Sequence, residues 1–216
     1  MIKQFAEMFY NHDTAEKIKA KLPVLFTIAE KESSRAGKIG MQVGSMRENI
    51  LISLLIWKFG EENVKTDLPI TTSEVDVLVN GSPLSIKTVT GNALVKLIWT
   101  DDPQKTKSFI ASYSPACDML LAKIVWQSAE EKKSEDSSTG GLYFISVGSQ
   151  HRVYEQLKDR YFKIPKKGTN ARGLGLSPHA FDLLLHDAET LKLDIVWKKG
   201  DLNHNIYKRW IEYWEE

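Results

Sequence analysis

Apolar positions along the chain follow two periods. Up to about residue 34 they recur at helical spacing, with Val24, Leu25, Phe26 and Ile28 supplying an apolar face. Asp13-Thr14 reads as an N-cap for the turns that run to Leu22, and Pro23 ends that stretch or opens the next helix. Residues 33–47 break the pattern, and Gly37, Gly40 and Gly44 give that stretch the freedom of a loop. A second helix is predicted from Ser45, a good N-cap with Glu48 three residues later in capping-box spacing. Apolar residues surround most of it from Ile50 to Phe59, which predicts burial, and Gly60 ends it.

The period then shortens to two. Glu74-Val75-Asp76-Val77-Leu78-Val79 alternates, Asn80-Gly81 is a turn signal, and Pro83 to Val89 forms the return strand of a hairpin. Further strands are predicted over 118–126, 142–147 and 191–197, and helices near 153–162, 178–186 and 203–214. Ser177-Pro178 is a cap-and-first-turn pair for the middle helix. The polar run 129–141 reads as a mobile surface loop. Helices and strands in mixed order predict an α/β (α+β) class, with a central mixed β-sheet flanked by helices and an N-terminal helical segment.

Composition narrows the function classes. The chain has 216 residues, 42% hydrophobic and 26% charged, which excludes a disordered chain, a fibrous repeat and a coiled coil. Lys plus Arg number 29 and Asp plus Glu 28, for a net +1, so a globally basic nucleic-acid binder is excluded but a local basic face is not. One cysteine, Cys117, excludes an intrachain disulfide and a multi-cysteine zinc site. The five histidines show no metal-ligand spacing, and neither a phosphate-binding loop nor a dinucleotide fingerprint occurs. The charged N-terminus does not fit a signal peptide, and the longest apolar stretch is too short to span a bilayer, so a cytoplasmic protein is expected.

The candidate chemistry lies on the hairpin. Ser85 and Lys87 are two apart on one strand and share a face, and a turn at Asn80-Gly81 brings Asp76 level with them. A carboxylate and an ammonium then meet beside a strand. A cross-strand surface ion pair would look the same and contribute well under about 1 kcal/mol. Against that reading, Asp76 sits among apolar strand residues, where an unused charge is costly.

A helix carboxylate followed by Asp76-x8-Ser85-Ile86-Lys87 resembles the PD-(D/E)XK nuclease superfamily, most closely type II restriction endonucleases. The resemblance covers about residues 45–100. It implies a restriction-endonuclease-like fold in a single nuclease domain over 1–216, with a helical segment and loop over 1–44 and a catalytic core with DNA-binding loops over 45–216. It further implies a sequence-specific, Mg2+-dependent double-stranded DNA endonuclease of a restriction-modification system in a prokaryotic cell. Such an enzyme cuts a short palindromic site as a homodimer. By resemblance, Asp76 and Glu48 would hold Mg2+ with the Ile86 carbonyl, and Lys87 would activate or position the attacking water. Ser85 stands where the family usually has an acidic residue, and a hydroxyl is a poor Mg2+ ligand. Glu48, Glu74 and Asp101 or Asp102 are the candidates to replace it, Glu48 first. Alternatives are a repair or junction nuclease on the same fold, or an inactive DNA-binding module in which Ser85 marks the loss.

Two basic stretches are the expected DNA contacts. Residues 151–172 carry seven basic against two acidic residues, and Lys166, Lys167, Asn170 and Arg172 combine phosphate-binding with base-reading side chains. Arg35, Lys38 and Arg47 form the second set, in the glycine-bearing loop. Met46 in that loop is a candidate apolar wedge into a base step, or else a staple on the following helix.

Overall fold

The structure, a computed structural model, describes residues 1–35, 38–39, 42–69, 74–100, 102–127, 140–164, 173–200 and 205–215. In chain order the elements are α1 (Ile2–Tyr10), α2 (His12–Ser33), β1 (Ser34–Arg35), β2 (Lys38–Ile39), α3 (Val43–Phe59), β3 (Val64–Lys65), β4 (Val77–Val79) and β5 (Ser82–Thr90). There follow β6 (Lys96–Ile98), α4 (Pro103–Ser112), β7 (Asp118–Ile124), β8 (Gly141–Ile145), α5 (Val147–Leu157), β9 (Phe162–Lys163), β10 (Leu174–Leu176), α6 (Pro178–His186), β11 (Leu191–Asp194) and α7 (Lys208–Glu215). Among the described residues six strands form the central sheet in the order β11-β8-β7-β5-β4-β3. β5 and β7 pair in parallel and the other neighbours are antiparallel, so the sheet is mixed as expected. A smaller antiparallel sheet, β6-β10-β9, stands beside it.

Alternation along β5 explains why the sheet separates two cores. Leu84 and Ile86 point into a cluster with Phe5, Phe9, Leu22 and Phe26 of α1 and α2 and with Leu51 and Leu55 of α3. Val89 points the other way, into a cluster with Met119, Leu121, Val153 and Leu157 and with Leu174 and Leu176 of the small sheet. Burial of each large aliphatic or aromatic side chain in these layers contributes roughly 1.5–3 kcal/mol.

Asn80 and Gly81 both have positive φ, 49° and 75°, the conformation a two-residue primed turn needs. The turn sets the register Val77↔Leu84, Leu78↔Pro83 and Val79↔Ser82. The helix at 178–186 appears as read, with Ser177 Oγ accepting from the Ala180 amide at 3.1 Å.

Other expectations are corrected. Pro23 neither ends nor opens a helix but lies inside α2. The lost hydrogen bond costs about 3 kcal/mol, and burial of Ile18, Leu22 and Phe26 around it offsets that. Asn11, not Asp13, caps α2, its side chain accepting from the Thr14 amide at 3.0 Å. α3 begins at Val43 after Gln42, so Ser45 lies within the helix and Glu48 caps nothing. Leu51 and Leu55 of that helix are fully buried, but Trp57 is 49% exposed, so the helix lies on the sheet rather than within it. α5 starts six residues before its expected position, because Ser146 and Asp118 accept from the Ser149 and Val147 amides at its first turn. No helix among the described residues is long and apolar enough to cross a membrane.

Candidate active site

The hairpin ends open beside the first turns of α3. Beyond the last rung at Val77, the Asp76 amide still donates to the Leu84 carbonyl at 3.0 Å, which holds Asp76 opposite Ser85. Its Oδ2 accepts from the Ile86 amide at 2.6 Å, the Lys87 ammonium at 3.1 Å and the Ser85 hydroxyl at 3.2 Å. One carboxylate oxygen therefore gathers the whole Ser85-Ile86-Lys87 triplet. The N–H and C=O of a strand residue point to the same side in the sheet plane, so the Ile86 carbonyl faces the same rim. The Asp76 and Lys87 side chains are 38% and 25% exposed. Asp76 is thus not sunk within an apolar strand as its sequence context suggested; it lies just before β4, open to an incoming ligand. Ser85 is buried.

Two further carboxyls approach this cluster. Glu48, on the second turn of α3, is half-buried, and that burial raises its pKa while Lys87 pulls it back down and Asp76 pushes it up. Glu74 is raised by burial too, with the Ala116 amide and Lys87 opposing. Glu74, Ser85 and Lys87 share a cavity of about 20 Å³ with Leu97, Tyr113, Cys117, Met119 and Gln150, room for about one water. The Cys117 thiol donates to the Glu74 carbonyl at 3.6 Å and is pushed up to about 11 by burial, so it stays protonated and is no nucleophile. Asp102 is committed elsewhere: it caps α4, accepting from the Gln104 amide at 2.8 Å. Asp101 lies outside the described residues.

These donors suit a hard divalent cation. Asp76, the Ile86 carbonyl, Glu48 and Glu74 offer only oxygen, and burial holds Glu48 and Glu74 partly desolvated, with the charge of Lys87 opposing it at both. Among the described residues no three His, Cys, Asp or Glu side chains already sit in metal-binding geometry. Mg2+ retains several waters and is commonly held by one or two carboxylates, so it needs no such set.

The expected DNA contacts fare differently. Arg47 is buried, its guanidinium paired with Glu30 and donating to Thr90 Oγ1 at 2.8 Å. It ties α3 to α2 and to the end of β5 instead of reaching outward from a loop. Met46, half-buried in the first turns of α3, has its sulfur 2.9 Å from the Ser33 hydroxyl. Arg35 and Lys38 lie on the paired strands β1 and β2, not in an irregular loop. Lys166, Lys167, Asn170 and Arg172 lie outside the described residues, as does most of the polar run 129–141. Sequence reasoning missed Tyr113, Gln150 and Leu97, which line the cavity beside Lys87 and come from three separate elements.

A family model described as "Restriction endonuclease ThaI" matches residues 8–216. A solved structure of a restriction endonuclease in complex with substrate DNA is similar at 46% identity and a TM-score of 0.85, covering 98% of each chain. No curated protein matches the chain.

Proposed function

The chain belongs to the ThaI restriction endonuclease family, and from that premise we propose that it is a Mg2+-dependent endonuclease cutting double-stranded DNA at a short palindromic site as a homodimer. The observation that carries this reading is the convergence of the Ile86 amide, the Lys87 ammonium and the Ser85 hydroxyl on one Asp76 oxygen. The similar restriction endonuclease with its substrate DNA supports the choice of substrate. We read the whole chain as one nuclease domain, working in the cytoplasm of a prokaryotic cell. A twofold dimer presents the same site to both strands of a palindrome.

The reaction is hydrolysis of a phosphodiester. Water attacks phosphorus, a new P–O bond forms as the bond to the leaving oxygen breaks, and the water's proton is released while the leaving oxygen gains one. Mg2+ supplies charge neutralisation and a more acidic water. Asp76 would hold the cation with the Ile86 carbonyl, and Glu48 or Glu74 would complete the set in place of the acidic residue that Ser85 lacks. Lys87, anchored on Asp76, directs its ammonium at the attacked phosphate and stabilises the charge that builds there. The Ser85 hydroxyl orients the Asp76 carboxylate.

Incubation of the purified chain with plasmid DNA and Mg2+, with a chelator control, tests this. Discrete fragments that vanish with chelator are expected. Random nicking would make it a repair or junction nuclease, and a mobility shift without cutting would make it a binding module.

A further inference from the structure

Trp99 is 73% exposed, an unusual cost for an indole, and its place in the fold offers a reason. It directly follows β6, whose Leu97 lines the cavity shared by Glu74, Ser85 and Lys87. Two residues of extended chain, about 7 Å, therefore separate the wall of the candidate active site from the exposed ring. The ring has a cation beside it, the Lys96 ammonium, 5.9 Å from its centroid. Lys96 in turn donates to the Gly173 carbonyl at 3.2 Å. Burial holds Lys96 below its ordinary value, a cost that an anion nearby would offset.

The backbone behind the ring is tightly held. The Gly173 amide donates to the Thr100 carbonyl at 2.9 Å, and Leu174 pairs with Ile98. Gly173 has φ +87°, and a Cβ there would lie 2.3 Å from the Ile98 carbonyl oxygen and 3.1 Å from Trp99 Cα. Only glycine permits that approach, so Trp99 stands on a braced corner rather than a loose tip. A large flat apolar ring with an ammonium beside it, rigidly placed near a phosphodiester-cleaving site, has the chemistry of a nucleic-acid contact.

We propose that Trp99 packs against the deoxyribose of the bound duplex next to the scissile phosphate, with Lys96 on the adjoining phosphate. The inference rests on the nuclease reading and adds to it a positioning contact. A ring packed on sugar carries little sequence information, so its loss weakens all duplexes alike.

The test measures anisotropy of a labelled duplex carrying the cleavage site mapped from the plasmid digest, and of a scrambled duplex. Both are titrated with the wild-type chain, Trp99→Ala and Trp99→Phe, in Ca2+ to suppress cutting. Trp99→Ala should weaken binding about tenfold on both duplexes, within the range of one aromatic stacking contact. Trp99→Phe should recover most of it, with melting temperature and sedimentation unchanged in both variants. Unaltered affinity of Trp99→Ala overturns the inference. So does a change in sedimentation that accounts for the loss, which would make Trp99 a contact between copies of the chain. If the wild-type chain binds no duplex, the nuclease reading fails and takes this inference with it.

Discussion

The Arg47 guanidinium lies buried against the Glu30 carboxylate, 17 positions earlier in the chain. Glu30 also accepts from the Trp126 indole at 2.7 Å and pairs with Lys199 at 2.7 Å, while Arg47 reaches Thr90 at the end of β5. The network therefore joins α2, α3 and the strand that carries Ser85 and Lys87, and it holds the helix turn that bears Glu48. Burial lowers the pKa of Arg47 and Glu30 opposes that; the guanidinium stays charged, so its partner offsets the cost of burying that charge.

The first prediction follows from that pair. Glu30→Ala leaves the guanidinium buried without a carboxylate, a loss of about 3–5 kcal/mol. In a domain of this size the melting temperature should fall by roughly 10 °C, read by calorimetry. Glu30→Gln should lose less, because the amide oxygen still accepts. A fall under about 2 °C for Glu30→Ala would show that the network contributes little to stability.

Asp76→Asn and Lys87→Ala should each reduce cleavage at least about a hundredfold while DNA affinity stays within a few-fold, since the first removes a ligand of the cation and the second a positive charge beside the transition state. Single-turnover cleavage and anisotropy in Ca2+ separate the two effects. Near-normal cutting by either variant removes the site assignment.

Three substitutions rank the ligands. Ser85→Ala should retain more activity than Asp76→Asn, because the hydroxyl only steadies Asp76 Oδ2 at 3.2 Å. Glu48→Gln and Glu74→Gln should both lose more than Ser85→Ala, and the larger loss identifies the carboxylate that completes the set. The same variants should need more Mg2+ for half-maximal rate. Greater damage from Ser85→Ala than from either glutamate would make the hydroxyl itself the functional group.

Met46→Ala distinguishes a wedge from a packing residue. A wedge into a base step predicts cleavage slowed by about tenfold or more with melting temperature almost unchanged, a step's unstacking being a few kcal/mol. We expect the packing outcome, because Met46 is half-buried with its sulfur 2.9 Å from the Ser33 hydroxyl. Lower melting temperature with ordinary cleavage assigns it to packing on α3.

Asp187 supplies a pH signature in a different part of the molecule. Hydrogen bonds from Arg152 and Ser149 hold its carboxyl down to about 2 from an ordinary 3.8. A lowered carboxylate stabilises the fold above its unfolded value, and the stabilisation is lost as pH falls through the folded one. Asp187→Asn should therefore melt lower than the wild type at pH 7. The difference should shrink as pH falls from about 4 to 2. A gap that stays constant over that window would mean the carboxylate's charge is not what matters.

What the sequence alone determined is what short-range stereochemistry controls. Asn80-Gly81 specifies a primed turn, the turn specifies register, and register brings Asp76 to Ser85, Ile86 and Lys87 within a dozen residues of chain. Ser177-Pro178 likewise marks the start of α6 from its own local chemistry. Tertiary structure decided whatever depends on partners far along the chain. Arg47 reads as a basic loop residue until Glu30 and Thr90 bury it, and Pro23 reads as a break until the α1–α3 core makes the helix through it favourable. Glu48 reads equally as a helix cap or a metal ligand until α3, beginning at Val43, removes the cap and leaves the carboxyl half-buried within electrostatic reach of Lys87 and Asp76. Leu97, Tyr113 and Gln150 carry no local signal at all, because a cavity wall is formed by separate elements meeting in space. Local torsional preferences act over a few residues, but burial and charge pairing act between surfaces that exist only once the chain has folded.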